Sequence, residues 1–344
     1  METNVLKILI IAALATSLVS MAAHANDPLV LGNDSWPPFI IDGPDKGTSE
    51  KLVCEALERS GWPCSVKVDD WEVILNEARV GAIDGIAAAW KNDYREKFLV
   101  FSEPYLTNRI VPVTRKDHPS PVESIDDLAG LRVALVTDYA YGDEISSMSS
   151  SMEVLQTRNT LEALRKVHRG EADAALVDEM VVRDVLTRVA IENLTISSTV
   201  LAFRDLHFAV SRQNPLAEAI VDDFQRAYKL MLADGTVNEI LDVDWLATGF
   251  GKSGKMDVVV RSGISLDDLD YPADDGSVYA MGDAEYQMMR GGKMDPSRVN
   301  YQVEGKSYSS LQTALDDVFG KDTVCKHKNF TSQFDCTDLF KKRN

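Results

Sequence analysis

The chain has 344 residues, 45% hydrophobic, 26% charged and 8% aromatic, an ordinary globular composition with room for two cores. That apolar content, without a Gly-X-Y or heptad period, excludes disordered, collagen-like and coiled-coil chains. Its 36 Lys and Arg against 54 Asp and Glu give a net charge of −18, the opposite of a nucleic-acid-binding footprint, so no nucleic-acid partner is expected.

Residues 1–25 read as a signal peptide. Lys7 precedes the apolar run Ile8-Leu9-Ile10-Ile11-Ala12-Ala13-Leu14-Ala15, and Ala23-His24-Ala25 supplies a small-x-small cleavage pattern. The run is broken by Thr16, Ser17 and Ser20, short for a membrane span. Export with cleavage after Ala25, and hence a periplasmic location, is the expectation. The four cysteines form two local pairs, Cys54 with Cys64 and Cys325 with Cys336, which an oxidising compartment would allow to close. Neither pair is a CxxC and the five histidines are scattered, so no metal site and no cofactor are expected.

From Pro28 to about Thr248, strand and helix signals alternate as in layered α/β folds. Leu29-Val30-Leu31-Gly32 is a strand before the turn-like Asn33-Asp34-Ser35-Trp36-Pro37-Pro38-Phe39. A helix from about Ser49 carries Leu52, Val53, Ala56 and Leu57 on one face, and Gly61-Trp62-Pro63 ends it. A strand at Cys64–Val68, a helix at Trp71–Val80 stopped by Gly81, and a buried strand at Asp84–Ala89 follow. A second unit begins after Pro119-Ser120-Pro121. It has a capped turn at Ser124–Leu128, a strand at Leu131–Val136, a helix at Thr160–His168 stopped by Gly170, and a strand at Asp173–Val177. Helices are expected at Pro215–Leu232 and Val237–Trp245. Gly249–Lys255 reads as a Gly-rich linker to a C-terminal extension, residues 250–344. Within that extension come a strand at Asp257–Arg261, an acidic stretch at Asp267–Asp275, and an amphipathic helix through Leu311, Ala314, Leu315, Val318 and Phe319, capped by Gly320.

Four segments carry a family resemblance: Trp36-Pro37-Pro38-Phe39, the run Asp84–Tyr105 (DGIAAAWKNDYREKFLVFSEPY), Leu128–Val136, and Gly170–Asp178 (GEADAALVD). Their order and spacing resemble the bacterial extracellular solute-binding proteins for polar amino acids, family 3, over residues 26–249; the extension resembles nothing recognised. The resemblance implies an α/β, two-lobed periplasmic-binding-protein type II fold with a hinge, plus a small α+β extension. Lobe 1 would be 26–112 and 212–249, and lobe 2 would be 113–211. The lobes would be joined by crossing strands at Leu106–Val113 and Leu206–Val210, with the ligand held in the cleft between them.

The same resemblance assigns the site. Arg95, just before Phe101-Ser102-Glu103-Pro104-Tyr105, would fork onto a ligand carboxylate, a geometry that lysine does not reproduce; a surface arginine is the structural alternative. Asp178, at the end of a buried strand, would hold the ligand ammonium, or else cap the helix that follows. Trp36 and Phe39 would wall the cleft or pack in the core. Ala87 and Ala89 replace the small hydroxyl residues usual in the family, leaving backbone N–H groups to bind, and Trp90 adds bulk, consistent with a small or flat ligand. Tyr139 and Tyr141 would offer hydroxyls or face solvent. These departures point away from a standard amino acid as the only candidate ligand.

The leading expectation is a monomeric periplasmic protein that captures a polar amino acid or similar small zwitterion for an inner-membrane ABC-transporter permease. The alternatives are a ligand sensor acting on a membrane receptor, or an enzyme resembling cyclohexadienyl dehydratase on the same scaffold. No GxSxG, HExxH or phosphate-cradling loop is present, so an enzyme is not expected.

Overall fold

The computed structural model describes residues 28–117, 121–250, 255–261, 263, 265, 278–280, 299–303 and 305–324. The signal segment, the acidic stretch Asp267–Asp275 and the Cys325–Cys336 pair lie outside the described residues. Ten strands form one sheet across the molecule, in the order β2-β1-β3-β10-β5-β8-β6-β7, with β4 joined to β10 and β9 to β5. The first side comprises β1 (Leu29–Asn33), β2 (Cys64–Val68), β3 (Gly85–Trp90) and β4 (Leu99–Phe101). The second comprises β6 (Arg132–Val136), β7 (Glu153–Thr157), β8 (Ala174–Asp178) and β9 (Leu194–Ile196).

Two long strands connect the sides. β5 (Leu106–Arg115) pairs with β10 (Ala202–Ser211) over Leu106–Ile110 and then with β8 over Ile110–Thr114. β10 leaves β5 at Leu206 and continues against β3 and β4. Each strand thus belongs to both lobes, the arrangement that lets lobes rotate about a two-strand hinge.

The sequence builds these layers locally. Strand β3, GIAAAW, is buried at every position, as expected of a strand covered on both faces. The helices that cover the sheet are α1 (Thr48–Arg59), α2 (Trp71–Val80), α4 (Thr160–His168), α5 (Glu179–Arg188) and α6 (Ala217–Asp234); a short α3 (Asp143–Ser146) lies at the surface. On α1, Leu52, Val53, Ala56 and Leu57 are buried, and on α4 Ala163, Leu164 and Val167 are, so the periodicity in the sequence marks the packed faces. Gly81 ends α2 with φ 76°, a left-handed conformation that glycine adopts without strain.

Cys54 on α1 and Cys64 at the start of β2 form a disulfide, with Cα atoms 5.5 Å apart and ten residues of separation. Replacing both cysteines by alanine is expected to lower stability by about 2–3 kcal/mol, read from urea unfolding.

Two expectations for the C-terminal part are corrected. The last helix, α7, spans Thr236–Leu241 rather than reaching Trp245; Trp245–Phe250 is a strand, β11. The Gly-rich stretch read as a linker lies between β11 and β12 (Met256–Val260), which pair antiparallel from Trp245↔Val260 to Phe250↔Met256. With β13 (Val278–Ala280), β14 (Val299–Val303) and β15 (Lys306–Tyr308) they make a second sheet, order β13-β11-β12-β14-β15. Helix α8 (Leu311–Leu315) covers it, widens into a π-helical turn at Asp316–Gly320 and resumes at Lys321–Val324, so Gly320 does not end it.

Alternation explains both the sheet and the error. Trp245 and Ala247 face the second core with Val258, Val260 and Tyr301, while Leu246 and Val259 face the main core. A strand buried on both faces is a continuous apolar run and reads as helix or strand alike. The two bodies also share a polar tie, the Asn238 side-chain amide donating to the Val259 carbonyl at 3.0 Å. A chain ending at Ser253 would keep β11 without its partners and uncover Trp245 and Ala247. It is expected to aggregate or unfold at lower temperature than the full chain, a result that size-exclusion chromatography and thermal unfolding would read.

Candidate functional site

Between the lobes lies a cavity of about 820 Å³. Lobe 1 contributes the loop after β1 (Asp34, Ser35, Trp36, Pro37), the start of α2 (Asp69, Asp70, Trp71), the end of β3 (Ala88, Ala89, Trp90) and Arg95. Lobe 2 contributes the turn after β6 (Thr137, Asp138, Tyr139), the start of α4 and one face of α5. Sites at the carboxyl ends of strands are usual in open α/β sheets, and β1, β3 and β6 all end here.

Local chemistry fixes these loops. The buried Asn33 side chain accepts from the Ala88 N–H at 2.8 Å and donates to the Ala88 carbonyl at 3.1 Å, clamping the end of β1 to β3. The loop then folds back, with the Thr48 and Ser49 N–H groups on the Pro38 and Phe39 carbonyls. A Cβ at Gly47 would stand 2.1 Å from the Phe39 oxygen, so the return requires glycine.

Arg95 begins a short 3₁₀ turn and is 6% exposed. Its guanidinium donates to the Trp90 carbonyl at 2.6 Å and, across the cleft, to the Asp138 carbonyl at 3.2 Å, and lies 4.8 Å above the Trp71 ring. Among the described residues its acceptors are backbone oxygens rather than a carboxylate. Burial lowers its pKa to about 10, offset by the charges of Asp138 and Asp34, so it stays cationic at neutral pH. Burial in turn raises the Asp34 pKa. Asp138 takes φ 66°, unusual for a residue with a side chain, and this turn is where its carbonyl meets Arg95.

An aromatic cluster closes the inner end. The Trp36 indole N–H donates to the Tyr139 hydroxyl at 2.6 Å, joining the lobes, and the Trp36 ring lies 5.4 Å from Trp90 and 4.8 Å from Phe39. The Tyr139 ring stands 4.7 Å from Trp90. Trp36, Ala89, Trp90, Arg95 and Tyr139 thus line the cavity together.

The other sequence-derived candidates sit behind it. Phe39 and Ala87 are fully buried; the Tyr141 hydroxyl donates to the Leu176 carbonyl and accepts from the Val136 N–H, each at 2.9 Å. Asp178 is fully buried and caps α5, accepting from the Val181 N–H at 3.0 Å. Its other oxygen accepts from the Asn108 amide on β5, and the Asn108 oxygen accepts from the Trp90 indole at 3.0 Å. Burial pushes its pKa up to about 7 against these hydrogen bonds.

Sequence reasoning missed Asp34, Asp70, Trp71 and Asp138. Asp34 sits in the turn that carries Trp36. Trp71, by contrast, reads as the first residue of an amphipathic helix, and nothing local marks it as a neighbour of Arg95.

Residues 29–247 match the model of the bacterial extracellular solute-binding proteins, family 3. The chain belongs to this family. Among curated relatives, the virulence sensor protein BvgS of Bordetella pertussis is 33% identical over 167 residues, 47% of this chain and 13% of BvgS. The chain therefore corresponds to a small part of that sensor's length. The L-cystine-binding proteins TcyA of Bacillus subtilis and TcyJ of Escherichia coli are 23% and 22% identical, covering 62% and 63% of this chain and 79% and 82% of theirs. A histidine kinase sensor domain with similarity to periplasmic binding proteins superposes with TM-score 0.58 at 19% identity, over 64% of this chain and 96% of that domain. An ancestral arginine-binding protein bound to arginine gives 0.55 at 22% identity, over 64% and 98%. The fold is the periplasmic-binding-protein type II fold, and its relatives include amino-acid-binding proteins and sensors.

Proposed function

We propose that this member of the family is exported to the periplasm and captures an amino acid or similar small zwitterion between its lobes, for delivery to an inner-membrane ABC transporter. The observation that carries this reading is Arg95: a buried, cationic guanidinium on the wall of the interlobe cavity, bonded, among the described residues, to two carbonyls and to no carboxylate. A ligand carboxylate replacing those weaker acceptors would gain a charge-assisted forked contact. Asp34 and Asp138, whose charges act on Arg95, are placed to attract the ammonium of the same ligand. The TcyA and TcyJ relatives, cystine binders by name, support an amino-acid-like ligand.

A second reading, a ligand sensor acting on a membrane receptor, is favoured by the likeness to BvgS and to the kinase sensor domain. The second sheet, packed on lobe 1 through Val259 and Leu246, would serve as the contact surface in that case. Thermal-shift screening of the purified protein against amino acids, polyamines and small carboxylates tests the binding reading, because ligands that bind the folded state raise the melting temperature. Stabilisation by an α-amino acid is the expected result. A transport assay in the presence and absence of the protein then separates delivery from sensing.

A further inference from the structure

Direct contacts join the lobes across the inner end of the cleft. The Trp36 indole N–H of lobe 1 donates to the Tyr139 hydroxyl of lobe 2 at 2.6 Å. The Tyr139 ring stands 4.7 Å from Trp90 and 5.8 Å from Trp36, edge to face in both pairs. Each half of this contact is held rigidly within its own lobe. Trp36 sits in a turn whose Phe39 and Ile40 N–H groups donate to its carbonyl at 2.9 and 3.1 Å, while its own N–H donates to the Ile40 carbonyl at 3.0 Å. Tyr139 sits on the turn after β6, which the Tyr141 hydroxyl pins to Val136 and Leu176. Arg204, on the crossing strand β10, holds the same turn by donating to Glu144 at 2.8 Å. It packs so closely on Gly142 that a Cβ there would stand 2.2 Å from the guanidinium. Two preformed halves meet with little side-chain freedom left to lose, so their contact retains most of its free energy.

We propose that Trp36 and Tyr139 form a latch, and that the chain rests with its lobes closed on this contact rather than closing only around a ligand. Opening breaks the hydrogen bond and both ring contacts of Tyr139 together. A ligand enters the open form, and the latch sets how much of that form exists, which scales the apparent affinity of any ligand. Trp36 and Tyr139 are thus positioning residues: the indole N–H of one is spent on the hydroxyl of the other. The latch holds whichever ligand the cleft takes.

Small-angle scattering on the full chain tests it, after bound molecules are removed by unfolding in guanidinium and refolding, with circular dichroism to confirm the fold. Wild type with nothing added should give the scattering profile of the closed form. Tyr139→Ala loses the hydrogen bond and both ring contacts, an open-to-closed shift on the order of a hundred-fold, and should show a larger radius of gyration. Trp36→Phe and Tyr139→Phe keep an aromatic ring and should each shift the ratio by about five-fold. Combined, they should open the lobes no further than either alone, since both remove one and the same bond. A wild type that scatters as an open form would overturn the resting closure. A Tyr139→Ala variant as compact as wild type, or Phe substitutions whose effects add, would overturn the latch. The thermal-shift screen decides separately whether an amino acid binds, so the two readings fail independently.

Discussion

Arg95→Ala is expected to cost more affinity than any other single substitution in the cleft. A ligand carboxylate drawn out of water into the closed site and left without its guanidinium loses on the order of 2–5 kcal/mol, or roughly 30-fold and more in Kd. The variant should fold, because the guanidinium contributes hydrogen bonds to two carbonyls and a stacking contact with Trp71, not a buried ion pair. Arg95→Lys should recover only part of the loss, since an ammonium presents no planar fork to a carboxylate. Isothermal calorimetry with the tightest amino acid from the thermal-shift screen measures both, with circular dichroism to confirm the fold.

The second large effect is on stability and concerns Asp178. Its carboxyl is raised from 3.8 to about 7 because ionising it inside the protein costs more than its hydrogen bonds to Val181 and Asn108 return. The folded state therefore holds the proton that the unfolded state has released between these two values. The stabilising contribution is complete below about pH 3.8, declines as pH rises, and is gone above about pH 7. The span corresponds to a change on the order of 4 kcal/mol. Asp178→Asn keeps an N-cap of similar quality and cannot ionise. Urea unfolding of both proteins at several pH values between 4.5 and 8 should show the wild type losing stability relative to the variant as pH rises. Comparing the two removes the contributions of carboxyls such as Asp69 and Asp127, which are held below their ordinary value and act in the opposite direction. A constant difference across the range would mean that Asp178 is ionised throughout.

Asp178 reaches the cavity through others. Asn108 lies on the crossing strand β5 and bonds both Asp178 and the Trp90 indole, so the chain Asp178–Asn108–Trp90 links lobe 2 to the aromatic wall through the hinge. This makes Asp178 a positioning residue for Trp90 in addition to its role as the cap of α5.

Much of the fold was legible because amphipathic helices and buried strands announce themselves by period. The packed faces of α1 and α4 and the all-buried β3 follow directly from their side chains. The crossing strands entered through the family resemblance, since their pairing spans about a hundred residues and no local pattern encodes it. β11 was misread because Trp245, Leu246 and Ala247 are apolar on both faces, each face serving a different core. The site divides the same way. Arg95, Trp36 and Trp90 stand in segments whose order and spacing mark a family, whereas Trp71 and the α5 face reach the cavity wall only through the fold. By sequence Arg188 is an ordinary exposed helix charge; only the fold sets it on the cavity wall. The strained turn at Asp138 likewise has no sequence signal beyond an Asp in a loop, although its backbone is what spans the lobes to Arg95.

A crystal structure of the protein with its tightest amino acid bound tests the central claim most directly. The ligand carboxylate should lie in the interlobe cavity, forked by the Arg95 guanidinium, with the Asp138 carbonyl displaced from it. A ligand found elsewhere on the molecule, or one in the cavity with Arg95 still bonded only to the Trp90 and Asp138 carbonyls, would contradict the account.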